Sequence, residues 1–164
     1  MSMTMEKIIH ALESLVNIHG SFIDLSKEKT ELIKKSKTDE LQSLLNKERM
    51  RIQKLEQAES KRQQAVKQWM NDRNVDDETL TITEIIDMVQ DQKDKDRLEK
   101  VTISLTKHLT ELKQQEALNN ALIQQSMQYV QYHLQLLQPT IDDYNYGETQ
   151  TQKESRRSVF DSKA

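Results

Sequence analysis

Apolar residues in the N-terminal part of the chain recur at the spacing of one face of a helix. Those alternating 4 and 3 residues apart are Ile8, Leu12, Leu15, His19 and Phe22, and a neighbouring row every seven residues contains Ile9, Val16 and Ile23. This spacing predicts a helix from about Thr4 to about Lys35. Gly20 lies in its interior at a cost of about 1 kcal/mol relative to alanine. It either admits a close crossing by another helix or is merely tolerated.

A polar break at residues 36–39 separates this helix from a second one. Thr38 is predicted as the N-cap, with Asp39 and Glu40 favourable in the first turn. Positions with heptad spacing follow, three of them polar: Leu41, Leu45, Glu48, Ile52, Leu55, Glu59, Arg62, Val66 and Trp69. Because a short connection favours antiparallel neighbours, the first two helices are predicted to form a long hairpin.

A short apolar helix is predicted after an acidic connection over residues 71–80. Thr81 and Glu84 have the spacing of a capping box, in which each side chain hydrogen-bonds a backbone N–H at the helix start. The apolar residues that follow are Ile82, Ile85, Ile86 and Val89. We expect this helix to plug one end of the hairpin.

A third long helix is predicted from near Asp94 to Gln138, because Pro139 should end it. Its apolar positions at 3,4 spacing are Leu98, Leu105, Leu109, Leu112, Ile123, Val130 and Leu137. Residues 1–138 are therefore interpreted as an elongated all-α domain, either a closed bundle or an open hairpin with a third helix. Residues 139–164 are mostly polar and are interpreted as a flexible tail that binds a partner.

Composition supports the all-α fold and narrows the classes of partner. The chain has two Gly and one Pro, neither between Ser21 and Gln138, and 35% of its residues are hydrophobic. This composition offers no β-turn chemistry and favours narrow apolar stripes over a thick core. The net charge of −3 gives no general attraction to nucleic acid. Without an apolar run of roughly 18 residues or a signal-peptide pattern, we expect no stable membrane insertion and a cytoplasmic location.

Catalytic and metal chemistry is not indicated by the residue pattern. The chain has no Cys, and its four His residues show neither the i, i+4 spacing of a helical metal pair nor the Glu-x-x-His pattern of a di-iron bundle. Two glycines cannot build a glycine-rich phosphate loop. We therefore expect no enzyme activity, no cofactor and no bound metal.

Several segments, and their order, resemble the flagellar type III export chaperones of the FlgN family. The first is residues 25–33, followed by a polar break and the Leu-paired helix start at residues 39–48. The second is the apolar segment 80–86. The third comprises Asn119, Asn120, Leu122, Leu134, Leu136, Leu137, Pro139, Tyr146 and Gly147. The resemblance covers nearly the whole chain.

This resemblance implies a cytoplasmic chaperone that binds hook-associated (hook-filament junction) proteins by their C-terminal helical segments. It would keep them unassembled and deliver them to the flagellar export gate. The candidate partner-binding residues are Leu134, Leu137, Ile141, Tyr144, Tyr146, Val159 and Phe160, and Tyr146 is the candidate for contact with the gate. The alternative from the heptad pattern alone is a structural coiled-coil adaptor or oligomeric scaffold.

Overall fold

The computed structural model describes residues 3–76 and 79–144, with side chains described up to residue 137. Within these residues there are four helices and no strand: α1 (Met3–Lys34), α2 (Thr38–Asp72), α3 (Ile82–Met88) and α4 (Gln92–Tyr144). The predicted all-α class is confirmed. Residues up to Leu122 form one compact unit, and the described residues from Ile123 onward belong to a second.

Helices α1 and α2 form the predicted antiparallel hairpin. Lys7 Nζ donates to Gln68 Oε1 at 3.4 Å, and Arg51 Nη1 donates to the Ser21 carbonyl at 3.1 Å. As the residue number on α1 increases, the residue number of its hydrogen-bonded partner on α2 therefore decreases. The two chain directions are opposite, as the short connection between the helices favours.

Helix α4 packs along α1 in the parallel direction. Arg97 Nη1 donates to Glu6 Oε2 at 2.7 Å, and further along the pair Asn119 Nδ2 donates to the Ser26 carbonyl at 2.9 Å. Side chains from α1, α2 and α4 share one hydrophobic cluster, which includes Ile8, Trp69 and Leu98. The first unit is thus a three-helix bundle in which α2 and α4 both pack against α1.

Short helix α3 closes one end of this core, as predicted. Its capping box is formed, with Thr81 N–H donating to Glu84 Oε2 at 2.7 Å and Glu84 N–H donating to Thr81 Oγ1 at 3.3 Å. Ile85 and the following Val89 are buried in the same cluster as Met5 and Trp69. The box fixes the start of a helix whose apolar side then covers the hairpin end.

Both long helices of the hairpin end without glycine. Ser36 and Asn74 adopt left-handed φ values of 54° and 55°. At the first end Lys37 N–H donates to the Leu32 carbonyl at 3.0 Å, the bond that defines a Schellman motif. The predicted N-cap of α2 is wrong: Thr38 is already helical and Lys37 precedes it without a side-chain cap, because the tight turn leads directly into the helix.

The predicted contact stripe of α2 is shifted by one residue along part of its length. Leu44, Ala58 and Ala65 are the buried residues there, with Trp69, whereas Ile52 is 40% exposed. A count of large apolar residues overlooks alanine, although a small side chain lets a neighbouring helix approach closely. The buried side of α2 in the hairpin therefore includes Ala58 and Ala65.

The predicted end of the third helix at Gln138 is wrong. Helix α4 continues through Pro139 to Tyr144. Proline lacks the N–H that would bond the carbonyl of Gln135, so α4 continues past Pro139 with one backbone hydrogen bond fewer. Residues 139–144 are therefore helical, and residues 145–164 of the predicted tail lie outside the described residues.

Candidate partner-binding surface

The segment of α4 from residue 123 to residue 137 is exposed at every position. Its large apolar side chains are therefore also in solvent, with exposed fractions between 38% and 64%. Those at alternating spacings of 4 and 3 residues are Ile123, Met127, Val130, Leu134 and Leu137. We call these five residues the exposed face. Such a stripe has the pattern of a helix–helix contact, but within the described residues no other helix covers it.

A second set of apolar side chains lies on the other side of the same segment. It consists of Tyr129, Tyr132 and Leu136, which we call the aromatic stripe, and each is more than half exposed. At about 100° of rotation per residue, the centre of this stripe lies roughly 150° around the helix from the exposed face. The segment is therefore apolar on two nearly opposite sides.

His133 connects the two tyrosines of the aromatic stripe. Its ring centroid lies 4.2 Å from that of Tyr129 and 5.9 Å from that of Tyr132, with interplanar angles of 56° and 81°. Tilted and edge-on contacts of this kind are favoured arrangements of aromatic rings. The three rings form a small cluster on the solvent-exposed surface of the helix.

Charge is missing from the whole surrounding stretch. Between Glu116 and Asp142 the sequence contains no Asp, Glu, Lys or Arg, although 31% of the chain is charged. The positions that flank the exposed face, where a coiled coil usually carries its pairing charges, are occupied by Gln124, Ser126, Gln131 and His133. A partner that covers this segment has no carboxylate or ammonium group to desolvate on this side.

The portion of α4 that precedes this segment is held by buried polar groups. Thr30 Oγ1 donates to Asn119 Oδ1, and Asn119 Nδ2 donates to both oxygens of Ser26, the carbonyl at 2.9 Å and the hydroxyl at 3.0 Å. Gln115 Nε2 donates to Thr30 Oγ1 at 2.6 Å. Asn119 is 1% exposed and is the last fully buried residue of α4 that is described. Since each polar group finds a partner, the layer fixes the register of α4 against α1.

A buried ion pair lies beside that layer. Lys29 Nζ lies 3.0 Å from Glu48 Oε2 on α2 and 3.2 Å from Glu116 Oε1 on α4. Burial alone would lower the pKa of Lys29, but its contacts with Glu48 and Glu116 outweigh that effect and raise the pKa above its ordinary value. We call the groups of this pair and the preceding layer the polar anchor: Ser26, Lys29, Thr30, Glu48, Gln115, Glu116 and Asn119.

An ion pair at the other end of the α1–α4 contact is exposed. Arg97 forms two hydrogen bonds to the carboxylate of Glu6, of 2.7 and 3.0 Å. The hydrogen bond from Arg97 lowers the pKa of Glu6. Since both side chains are in contact with solvent, the pair guides the pairing of the helices more than it stabilises them.

The sequence-predicted site residues fall into three groups. Leu134 and Leu137 lie in the exposed face, 61% and 53% exposed. Ile141 and Tyr144 lie within α4, but their side chains are outside the described part of the chain. The remaining candidates, Tyr146, Val159 and Phe160, also lie outside the described residues.

Sequence reasoning missed most of the exposed apolar residues of the second unit. The sequence pattern places Ile123 and Val130 in the contact stripe of the third helix, and neither Met127 nor the aromatic stripe is among the predicted partner-binding residues. The signal that could have found them is the absence of charge between Glu116 and Asp142. Solvated helices of a highly charged chain normally carry charges on their outer face.

Two other kinds of site are not found in the residues that the structure describes. No group of three or more His, Asp or Glu side chains there could hold a metal ion. No helix in residues 3–76 and 79–144 combines the length and hydropathy needed to cross a membrane. The open grooves along the bundle are lined by mixed polar and apolar side chains, such as Glu13, Asn17 and Val101.

Comparisons with known proteins bear on the resemblance seen in the sequence. The model of the FlgN protein family matches residues 1–154. The protein YvyG of Bacillus subtilis (strain 168), described as uncharacterized, is 31% identical over 165 residues, which cover 99% of this chain and 100% of YvyG. No solved structure shows a significant match.

Proposed function

The chain belongs to the FlgN family of flagellar export chaperones, and on this premise we propose that it binds hook-associated proteins through the exposed face of α4. The client would be held by a C-terminal helical segment, kept soluble and unassembled in the cytoplasm, and delivered to the export gate. This is a binding function without a catalytic step.

The observation that supports this proposal is the exposed face itself. A row of large apolar side chains in solvent, bordered by polar positions, is typical of a protein-interaction site. Its 4,3 spacing suits a helical client, because an amphipathic helix presents anchors at matching intervals. Leu134 and Leu137 are its candidate anchors nearest the end of the helix.

The predicted site continues along the chain. Ile141 and Tyr144 extend the 4,3 spacing of Leu134 and Leu137, so we propose that they continue the contact. Val159 and Phe160 would add apolar contacts from the tail, which would become ordered on binding. Tyr146 is proposed to contact the export gate while the rest of the segment holds the client.

An energy estimate indicates how strong contact with the exposed face alone would be. Fully burying one such side chain contributes about 1.5–3 kcal/mol. The five side chains are between 38% and 61% exposed, so covering them contributes roughly half as much each, or about 4–8 kcal/mol together. Association costs about 4–15 kcal/mol. The exposed face alone would therefore bind weakly, and further contacts are needed for a stable yet releasable complex.

A titration of a hook-associated protein's C-terminal segment from the same bacterium into the full chain tests this proposal. We expect binding at micromolar concentration or tighter, weakened at least tenfold (about 1.4 kcal/mol) by the double substitution Val130→Ser, Leu134→Ser. Ile103→Ser is the matched control, because Ile103 lies on the same helix and is 69% exposed but belongs to the first unit.

Two results of that titration would count against the proposal. If the unaltered chain bound no hook-associated segment, the client would be wrong. If Ile103→Ser weakened binding as much as the face substitutions, the exposed face would not be the site. A chain ending at Gln138 removes the last six residues of α4 together with the residues beyond the helix, and lost affinity would assign part of the contact to residues 139–164.

A coiled-coil adaptor or oligomeric scaffold is the second candidate function. The observation that favours it is the lack of charge around the exposed face, because two copies could pair there without like-charge repulsion. Light scattering distinguishes the two functions. A stable dimer that persists with the client segment present and disappears in Val130→Ser, Leu134→Ser would favour the scaffold.

A further inference from the structure

The aromatic stripe has no role in a contact that covers the exposed face alone. Tyr129, Tyr132 and Leu136 are 64%, 59% and 52% exposed, as open to solvent as Leu134 and Leu137 on the other side. Tyr and other aromatic residues are enriched where proteins contact each other. Their exposure is therefore a second observation of the same kind, on a different side of the helix.

The geometry of one helix prevents a single straight helix from covering both sides. The two stripes are roughly 150° apart around α4, whereas a neighbouring helix covers an apolar stripe of about 100°. A helix that is apolar on opposite sides is expected to be buried on both. The segment thus has the surface of a bundle helix that packs against one neighbouring helix on each of two sides. No other described helix occupies either side.

The charge pattern identifies the chemistry of the missing neighbours. No Lys, Arg, Asp or Glu lies between Glu116 and Asp142 to form an ion pair with a partner. A charge on the partner's contact surface would lose its hydration and would find no opposite charge in exchange, only polar groups such as the amides of Gln124 and Gln131 and the hydroxyls of the two tyrosines. Partner surfaces without charge are favoured on both sides.

We propose that residues 123–137 are enclosed from two sides by a pair of client helices with uncharged contact surfaces. One helix covers the exposed face and the other covers the aromatic stripe, so that this segment completes a three-helix arrangement with its client. This inference rests on the proposed function and specifies the kind of client structure that the same segment binds.

The test compares the two sides with the full chain and the last two helices of a hook-associated protein as the probe. The substitutions are Leu134→Ser on the exposed face, Tyr132→Ser on the aromatic stripe, and both together. Each single substitution is expected to raise the dissociation constant about tenfold or more. Ile103→Ser is the control and should change it less than twofold. Circular dichroism verifies that each variant keeps its helix content.

Two further measurements sharpen the test. The last helix of the client alone should bind at least tenfold more weakly than the pair, because it can cover only one side. Raising the salt concentration from 50 to 500 mM should change the dissociation constant of the pair less than about threefold, since no ion pair is screened. A strong loss of affinity in salt would overturn the uncharged contact.

The remaining outcomes separate this inference from the proposed function. If Leu134→Ser weakens binding and Tyr132→Ser does not, one client helix is sufficient, and the two-sided contact is wrong while the chaperone function stands. If Tyr132→Ser abolishes only a dimer seen by light scattering, a second copy of this chain covers the aromatic stripe, and the inference is overturned. If the unaltered chain binds no client, both proposals fail.

Discussion

Helix α4 buries polar groups in one region and exposes apolar groups in the other. In the bundle, Asn119 is 1% exposed and Lys29 on the adjoining helix is 7% exposed, while in the following segment Leu134 is 61% exposed. Each region is the reverse of the usual arrangement for a helix. The buried polar groups are satisfied by one another, whereas no described side chain covers the apolar ones. The first region thus determines how α4 is paired, and the second is suited to binding.

Among substitutions that test this contrast, the largest effect on the free energy of unfolding is expected in the polar anchor. Asn119→Ala removes three hydrogen bonds of a buried layer, one with the Thr30 hydroxyl and two with the oxygens of Ser26, so the free energy of unfolding should fall by about 2–3 kcal/mol. Leu134→Ser removes a side chain with no described tertiary contact and should change the free energy of unfolding by less than about 0.5 kcal/mol. Urea denaturation measures both.

Asn120→Ala is the control for this comparison. Asn120 is the next residue of the same helix and is exposed, so its substitution should leave the urea midpoint almost unchanged. If Asn120→Ala and Asn119→Ala destabilised the chain equally, the loss would not come from the polar anchor, and helix propensity would not explain it either, since alanine favours a helix more than asparagine does.

The ion pair in the polar anchor predicts an intermediate effect that depends on pH. Lys29→Met leaves Glu48 and Glu116 near each other without their cation, so the free energy of unfolding should fall by about 1–3 kcal/mol at neutral pH. Because the pKa of Lys29 is raised in the folded state, its contribution to the free energy of unfolding is fully present below the unfolded-state pKa of about 10.4. It is lost as the pH rises through the higher folded value.

Denaturation of Lys29→Met and of the unaltered chain at a series of pH values tests that prediction. The difference between them should stay constant from pH 7 to 9 and shrink only above about pH 10.4. Lys27→Met is the control, since Lys27 is 56% exposed in its pair with Glu111. A difference that vanished near neutral pH would contradict the assigned direction of the pKa shift.

A smaller effect than that of Lys29→Met, and of opposite sign, is expected at Gly20, in the bundle. A Cβ atom added there would lie 3.8 Å from His108 Cε1, an ordinary van der Waals distance. The glycine is therefore tolerated and is not required by a close crossing. Gly20→Ala should raise the free energy of unfolding by about 0.5–1 kcal/mol, because alanine loses less entropy in a helix. A destabilised variant in thermal denaturation would mean that the two helices need the glycine.

The sequence predicted the elements of the bundle better than their contacts. The stripe from Ile8 to Phe22, the capping box at Thr81 and the helical hairpin are confirmed, because local spacing and capping chemistry determine them. The α2 contacts at Ala58 and Ala65 were missed because small side chains carry little hydrophobic signal. The helix end was missed because proline disfavours the continuation of a helix but does not exclude it.

The candidate site was predicted only in part, for a different physical reason. Periodicity shows that Ile123, Val130 and Leu137 share a stripe, but it does not show whether a helix of the same chain covers that stripe. Likewise, Asn and Lys are residue types that usually lie at the surface, and only the packing of three helices reveals that Asn119 and Lys29 are buried. What covers a surface depends on tertiary contacts, which the spacing of residues along one helix does not contain.

The uncharged stretch also determines which proteases can cut it. Trypsin cleaves after Lys and Arg, and none occurs between Lys113 and Lys153. Digestion with trypsin therefore leaves residues 114–153 in one piece whether or not a client covers them. Chymotrypsin cleaves after Tyr and Leu and has sites at Tyr129, Tyr132 and Leu134. Protection from chymotrypsin, with no change under trypsin, is thus the signature by which a bound client would be detected in a mixture of proteins.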